Sequence, residues 1–315
     1  MKKITVIFSV VVLMLSVSVE KASAQYYFYD NKYYDSPLTF EIGGSIGAMN
    51  CLTDIGGNRG VGKKFVKDLN LGKTHLAGSV SLTAMYNYMF ALRLEATFGT
   101  VSAEDKVLKK VAPSTFGRYE RNLSFKSKIT DFMLGLEIHP LYIINRYDDD
   151  NDKEPPLLSP YLLAGVGFFS FKPQAKLAGK WVDLQPLSTE GQGFAEYPDR
   201  KPYKLNQIDI PIGLGVKYDV GRSLSIRAEF VYRKLNTDYL DDVSSKYYAD
   251  PTLYANYFTG AKLTNALLLN NRQYELDPGH SYNTQDERGN PKNKDAFFTF
   301  NIKVGYTFGR PKITR

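Results

Sequence analysis

The sequence predicts an all-β fold, a transmembrane antiparallel up-and-down β-barrel with about eight strands and long extracellular loops. Three observations lead to this fold class. The N-terminus carries an export signal, the chain is rich in Tyr and Phe without a second apolar stretch long enough for a spanning helix, and several segments alternate apolar with polar side chains. Such alternation gives each barrel strand one lipid-facing and one lumen-facing side.

The first residues predict export. Lys2 and Lys3 precede an apolar run from Ile4 to about Val19, and Ala22-Ser23-Ala24 supplies the small residues of a cleavage site. The run is shorter than the ~20 residues of a membrane-spanning helix, and charged residues follow it directly. We therefore predict a signal peptide at residues 1–24 and a periplasmic N-terminal segment at residues 25–37.

The composition indicates which kinds of partner this chain is expected to have. The formal net charge is +7, and the Lys and Arg residues are spread along the chain, which indicates solvated loops rather than nucleic-acid binding. Cys51 is the only cysteine, so the exported chain has no internal disulfide. The expected location is the cell outer membrane, with outer-membrane lipid as the surrounding partner.

Two hairpins show the alternation most clearly. The first joins residues 79–88 to residues 90–98 through a tight turn, and the second joins residues 208–218 to residues 224–233. Two further segments follow the same pattern, at residues 131–139 and 298–308. Two more are less regular, at residues 40–48 and at residues 161–171, and the second of these is apolar almost throughout. The total is eight strands within a barrel that spans residues 38–309, followed by a short polar tail at residues 310–315.

The lengths of the connections predict the orientation. Residues 87–90 and 219–222 form short turns, and four connections are long, at residues 50–76, 100–122, 172–206 and 236–294. Barrels of this kind have short periplasmic turns and longer extracellular loops. The exception is the stretch at residues 141–160, a longer connection on the periplasmic side.

Charges of both signs fall at lumen-facing positions of the predicted strands. We interpret them as a structural network of ion pairs, because an eight-stranded barrel is narrow enough to be filled by its own side chains. The alternative is a pore whose selectivity these charges tune. The predicted lumen residues are Glu41, Arg93, Glu95, Glu137, Lys217, Arg227, Glu229 and Lys303.

A dense acidic run lies in the long periplasmic connection. Asp148, Asp149, Asp150 and Asp152 could offer carboxylates to Ca²⁺, but the run lacks the glycine and the distant glutamate of a helical calcium loop. A hydrated turn is favoured over a metal site, and contact with a basic periplasmic partner stays open. No cofactor is expected.

The sequence gives no sign of catalysis. Its histidines are His75, His139 and His280, and no local pattern orients a nucleophile against any of them. We therefore predict a protein that is not an enzyme.

Several N-terminal segments resemble one family. They are Tyr33-Tyr34-Asp35-Ser36-Pro37, Glu41-Ile42-Gly43-Gly44-Ser45-Ile46-Gly47, Met49-Asn50-Cys51-Leu52-Thr53-Asp54-Ile55-Gly56-Gly57, Arg93-Leu94-Glu95-Ala96-Thr97-Phe98-Gly99 and Gly117-Arg118-Tyr119-Glu120-Arg121-Asn122-Leu123-Ser124-Phe125. The chain thereby resembles the Bacteroidota outer-membrane barrels of the PorG type, over roughly its first half. The resemblance implies a subunit of the type IX secretion machinery that contacts a periplasmic ring of PorK and PorN.

Two functional hypotheses remain from the sequence. The first is a structural secretion subunit, whose candidate ring-facing parts are the segment after Gln25 and residues 141–160. The second is a stand-alone barrel that acts as a surface binder, an adhesin or a narrow channel. They differ in the side of the membrane on which the protein works.

Overall fold

The computed structural model describes residues 38–57, 71–147, 158–220, 223–279 and 283–308, with backbone only for residues 145–147. The predicted signal peptide at residues 1–24, the segment at residues 25–37 and the tail at residues 310–315 lie outside the described residues. So do His280 and the acidic run that contains Asp148, Asp149, Asp150 and Asp152.

Eight strands close into one antiparallel barrel, as predicted. Around the barrel the order is β4, β3, β2, β1, β9, β8, β7 and β5, and pairing of β4 with β5 closes it. A ninth strand, β6, pairs only with the end of β5. The strands are β1 (Leu38–Leu52), β2 (His75–Tyr86), β3 (Phe90–Glu104), β4 (Ser124–Ile138), β5 (Leu158–Leu177), β6 (Lys180–Asp183), β7 (Asn206–Asp219), β8 (Leu224–Leu235) and β9 (Ala296–Phe308).

The pleat separates the two faces of every barrel strand. On β2, Val80 and Leu82 are 59% and 58% exposed, while Ser81 between them is buried. Exposed Leu, Ile, Val and Phe side chains continue around the outside on all eight barrel strands, and the inward positions are mostly polar. An apolar exterior around a polar interior is the surface of a barrel embedded in lipid, so this chain is an outer-membrane β-barrel.

The pairing register around the barrel shows that the strands are tilted relative to the barrel axis. A path that starts at Phe308 and steps across each paired neighbour in turn returns to β9 at Phe298, ten residues away. This stagger sets the tilt and width of a closed barrel. At eight strands the interior is just wide enough for side chains to fill it.

Glycines at inward positions make room for large lumen side chains. A Cβ on Gly305 would lie 2.6 Å from the Glu41 carboxyl, and a Cβ on Gly215 would lie 2.5 Å from the Tyr161 ring. These positions belong to the inward face, so replacing either glycine would displace a buried polar group. Gly215 of β7 and Gly305 of β9 are therefore part of the lumen packing.

Several strands are longer than the sequence pattern predicted. β5 extends to Leu177 rather than residue 171, and β4 begins at Ser124 rather than residue 131. Their outward side chains become polar beyond Phe132 and Phe168, so the apolar alternation ends while the hydrogen-bonded ladder continues. The extracellular ends of these strands therefore stand above the lipid.

The long extracellular connections fold over that end of the barrel. Their described residues are called the cap here, and they are residues 53–57, 71–74, 105–123, 178–205, 236–279 and 283–295. The cap contains β6, several short 3₁₀ turns, and the helices α1 (Phe116–Arg121), α3 (Tyr254–Tyr257) and α4 (Gly260–Asn270). Its apolar side chains form one cluster with those of the upper lumen, in which Phe169 and Phe297 of the barrel join Leu240 and Leu269 of the cap.

The periplasmic end is simpler. Two tight connections lie there, after β2 and after β7, and Tyr88 falls in the first turn with φ +61° rather than on the strand where the sequence placed it. The longer connection begins as the helix α2 (Pro140–Tyr147), and β5 already starts at Leu158. Among the described residues, no helix has the length and apolar character needed to cross a membrane.

Candidate functional site: the charged lumen and the cap

Arg93 occupies the centre of the lumen charges. Its guanidinium donates to Glu95 at 3.0 Å, to Glu229 at 2.6 Å and to Glu137. All four side chains are fully shielded from solvent. Arg93 lies on β3 and its partners on β3, β4 and β8, so one arginine links three barrel strands.

A second arginine extends the network toward the periplasm. Arg227 donates to Glu41 at 2.6 Å and to Glu137 at 2.9 Å, and Lys217 lies 3.5 Å from the Glu41 carboxylate. Glu137 therefore bridges Arg93 and Arg227.

Lys303 completes the connection. Its Nζ lies 2.5 Å from Glu95 and 3.6 Å from Glu229. Through these contacts the structure brings all eight of the predicted lumen residues into one connected group.

The sequence-based set omitted several members of the lumen. Arg233 donates to Asp131 at 2.6 Å in a layer nearer the cap, and the Tyr161 hydroxyl donates to Glu229 at 2.7 Å. Asp209 is also buried, and neither of its carboxylate oxygens has a hydrogen-bond partner among the described residues. All four lie at inward positions of the period-two pattern. That pattern could have identified them from the sequence.

The arrangement bears on the choice between a plugged lumen and a pore. An unpaired charge in this interior would be expensive, and most carboxylates described in the lumen meet at least one cation. The side chains span the lumen between opposite walls, since Arg93 of β3 reaches Glu229 of β8. The geometry favours a structural plug over a selective channel.

Aromatic side chains close the periplasmic end. The ring of His139 stacks on Tyr161 at 5.1 Å, and Tyr142 of α2 lies 6.2 Å from His139 and 5.7 Å from Tyr88. The His139 imidazole also contacts Ser159 and Glu137. Helix α2 is thereby packed under the charged lumen.

The cap contains buried ion pairs of its own. Arg288 donates to Glu190 at 3.1 Å, and the same carboxylate accepts the backbone N–H groups of Ser244 and Ser245. Arg121 makes two bonds to Asp105, at 2.8 and 2.9 Å. The sequence analysis did not find these pairs, because none of the four residues follows a strand period. Arg288 and Glu190 come from different loops, and Arg121 and Asp105 lie 16 residues apart within one irregular loop.

Burial also raises the pKa values of several cap aspartates. Burial raises the pKa of Asp242 to about 7, although hydrogen bonds from Thr189 and Tyr203 act in the opposite direction. Burial, together with repulsion from neighbouring aspartates, places the pKa values of Asp241 and Asp295 well above the ordinary range. These carboxyls favour their neutral forms in the folded cap.

The two histidines in the described part of the chain have different surroundings. His139 contacts Ser159 and Glu137, and all three side chains are buried in the lumen. His75 is the first residue of β2, not a loop residue as predicted, and its Nε2 lies 2.6 Å from Ser102 Oγ. The positive charges of Lys126 and Lys73 act on this imidazole, and its hydrogen-bond partner is a hydroxyl rather than the carboxylate of a triad. Within residues 38–57, 71–147, 158–220, 223–279 and 283–308, no three His, Cys, Asp or Glu side chains converge on a metal position.

Comparison with known proteins finds distantly similar solved structures and no family. No protein-family model and no curated protein matches the chain. Ail, the attachment invasion locus protein of Yersinia pestis, solved in complex with the heparin analogue sucrose octasulfate, matches with 12% identity and a TM-score of 0.37 over 87% of this chain and 100% of that chain. The outer membrane protein OprG of Pseudomonas aeruginosa matches with 11% identity and a TM-score of 0.38 over 86% of this chain and 95% of that one. Neisserial surface protein A matches with 9% identity and a TM-score of 0.36 over 87% of this chain and 98% of that one.

Proposed function

We propose that this chain is a non-enzymatic structural subunit of a protein-secretion apparatus, similar to the PorG-type barrels of the type IX system, and that its periplasmic face contacts a ring similar to that of PorK and PorN. The observation that carries the proposal is the filled lumen. A barrel whose interior is occupied by its own ion pairs works through its ends and its outer wall. A narrow-channel function is correspondingly disfavoured.

Features at the periplasmic end support a partner on that side. Helix α2 is an ordered element in a position where barrels usually have a short turn. Its Ile144 is 62% exposed, although Tyr142 on the same helix packs against the barrel aromatics. An exposed apolar side chain followed in sequence by the acidic residues Asp148, Asp149, Asp150 and Asp152 offers apolar and charged contacts to a protein.

The experiment is an affinity purification of the tagged, full-length protein from gently solubilised native outer membranes, with mass spectrometry of the proteins that copurify. The proposal predicts periplasmic ring components with the wild type and their loss from Ile144→Ser combined with Asp149→Asn and Asp150→Asn. A matched control changes the extracellular residues Leu276→Ser, Asp277→Asn and Asp286→Asn, and should retain the ring.

Two results would contradict the proposal. One is recovery of the barrel alone under conditions in which the ring stays intact. The other is unchanged recovery from the periplasmic variant, provided that its heat-dependent migration on gels shows a folded barrel.

A second candidate is a stand-alone surface binder, which the folded cap favours. The apolar side chains of the cap pack in one cluster with those of the upper lumen, and Phe194 stacks on Tyr257 with ring centroids 3.9 Å apart. An ordered extracellular unit of this kind can present a fixed surface to a ligand. In the same purification, loss of a partner from the extracellular variant but not from the periplasmic one would favour this function.

A further inference from the structure

Strands β4, β5 and β6 form an extension above the apolar band. The last apolar outward residues are Phe132 on β4 and Phe168 on β5. Beyond them β4 continues outward with Lys128 and Lys126, and β5 continues with Lys172. The sequence analysis did not single out these lysines, because they are spread along the chain and do not form a continuous basic run.

The register gathers the lysines on one face. Lys128 lies directly opposite Lys172, and Lys176 lies directly opposite Trp181. Paired residues in an antiparallel sheet project to the same side, so these side chains share the outer surface. We call this surface the basic patch, composed of Lys126, Lys128, Lys172, Lys176 and Trp181.

Acidic neighbours neutralise only a small part of the patch. Asp183 lies 2.7 Å from Lys172 Nζ and accepts a hydrogen bond from Gln174 at 2.6 Å. It is the one carboxylate that forms an ion pair with a patch lysine among the described residues. Like charges directly opposite one another destabilise a sheet, and Lys128 faces Lys172 in this way. A bound anion would relieve that repulsion.

The position of the patch along the membrane normal indicates which anion it would meet. Lys128 and Lys172 each lie four residues beyond the last apolar outward residue of their strand, which is about 13 Å along a strand and about 10 Å along the membrane normal after tilt. Acyl chains end below this level, and lipid headgroups occupy it.

The single tryptophan lies on the same surface, opposite Lys176 and next to Lys126. Trp181 is 49% exposed, and Lys126 Nζ lies 5.4 Å from its ring centroid. Tryptophan is enriched at membrane–water interfaces, where its ring contacts lipid and its N–H contacts polar groups. A basic surface that also carries an exposed tryptophan suits a charged lipid rather than a free ion.

We propose that the basic patch binds the phosphate groups of lipopolysaccharide in the outer leaflet and so fixes the barrel to its surrounding lipid. Lysine ammonium groups at headgroup height are attracted to anionic lipid, and several act together. The proposal does not depend on the secretion function, because it concerns the outer wall rather than the periplasmic face.

Trp181 provides the measurement, since it is the only tryptophan of the chain. Diphosphoryl lipid A is added to the full-length protein in a neutral detergent, and the emission of Trp181 is followed at two salt concentrations. Completely dephosphorylated lipid A is the matched probe. The proposal predicts a saturable emission change with the phosphorylated lipid, weaker at high salt, and little change with the dephosphorylated one.

The variant Lys128→Gln/Lys172→Gln should weaken binding by at least about tenfold. The control Lys262→Gln/Lys292→Gln removes the same charge from exposed positions on the cap and should bind as the wild type does. Native mass spectrometry of the bound lipid gives a readout independent of the tryptophan.

Three results would overturn the proposal. Equal responses to the two lipids would exclude phosphate recognition, and equal losses in the two double variants would exclude this patch. Tighter binding of a soluble sulfated glycan than of lipid A would assign the patch to an extracellular polyanion instead.

Discussion

The lumen and the cap both contain buried ion pairs, but different physical constraints place them. In the lumen, Arg93 and its glutamates lie on strands whose period of two fixes which side chains face inward. In the cap, Arg288 reaches Glu190 across 98 residues of chain without any such period. The lumen network is thus tied to the barrel ladder, whereas the cap network depends on how the loops fold over it.

This difference predicts two kinds of failure. Damage to the lumen network should affect the whole barrel, since its members join β1, β3, β4, β7, β8 and β9. Damage to the cap network should release loops and leave the barrel closed. The predictions below separate the two regions, in order of decreasing effect.

The largest effect is expected from Arg93→Met. It leaves Glu95, Glu137 and Glu229 with less cationic compensation in a buried site, and the expected cost is about 3–5 kcal/mol in the free energy of unfolding. Urea titration in detergent, read by the gel migration of the folded barrel, measures it. The control Lys234→Met removes an exposed cation from β8 and should change the midpoint little; equal midpoints for the two variants would disprove the lumen account.

The second-largest loss of stability is expected from Arg288→Met, and it should be confined to the cap. Glu190 loses its cation and Thr189 and Asn270 lose hydrogen bonds, so the cap should open at a cost of about 3 kcal/mol while the barrel stays folded. Limited proteolysis should then cut within residues 236–295 and leave the heat-dependent migration of the barrel intact. Loss of that migration would mean that the cap and the barrel fold as one unit.

A smaller effect is expected with pH. Because burial raises the pKa of Asp242 to about 7, the folded cap binds a proton that the unfolded chain releases near pH 4. The stability from this group is present at low pH and is lost as pH rises toward 7, so the cap should resist proteolysis better at pH 5 than at pH 8.

Asp242→Asn should reduce that pH dependence, and asparagine tolerates the positive φ of this position. The remaining dependence comes from Asp238, Asp241 and Asp295, whose pKa values burial also raises. The exposed Asp199→Asn is the control and should leave the profile unchanged. A cap that is more resistant at pH 8 than at pH 5 would contradict the assignment.

The smallest effect is expected from Glu104→Gln. Glu104 pairs with Lys73 at 2.7 Å, but both side chains are partly exposed, and such pairs contribute less than about 1 kcal/mol. The same urea titration should detect little change beside Arg93→Met. A loss as large as that of Arg93→Met would show that burial does not set the strength of these pairs.

The sequence predicted the barrel strands and their inward charges for a definite reason. Where Val80 and Leu82 face lipid, Ser81 must face the lumen, so a local pattern fixes the side of each residue. The ends of β4 and β5 were missed because their outward residues become polar above the lipid. Asp131 and Arg233 obeyed the period and could have been included.

The cap could not be predicted in the same way. The contact between Phe194 and Tyr257 and the bond from Thr189 to Asp242 join residues far apart in sequence, and neither segment has a regular period. The sequence predicted long loops at the extracellular end, but it did not predict that their apolar side chains pack together.

The central claim is that the barrel's own side chains fill its lumen, and conductance in planar lipid bilayers tests it most directly. The account predicts that the purified full-length protein inserts without producing steady ion currents. A stable, ohmic conductance that scales with the number of inserted barrels would contradict the plug and return the channel hypothesis to first place.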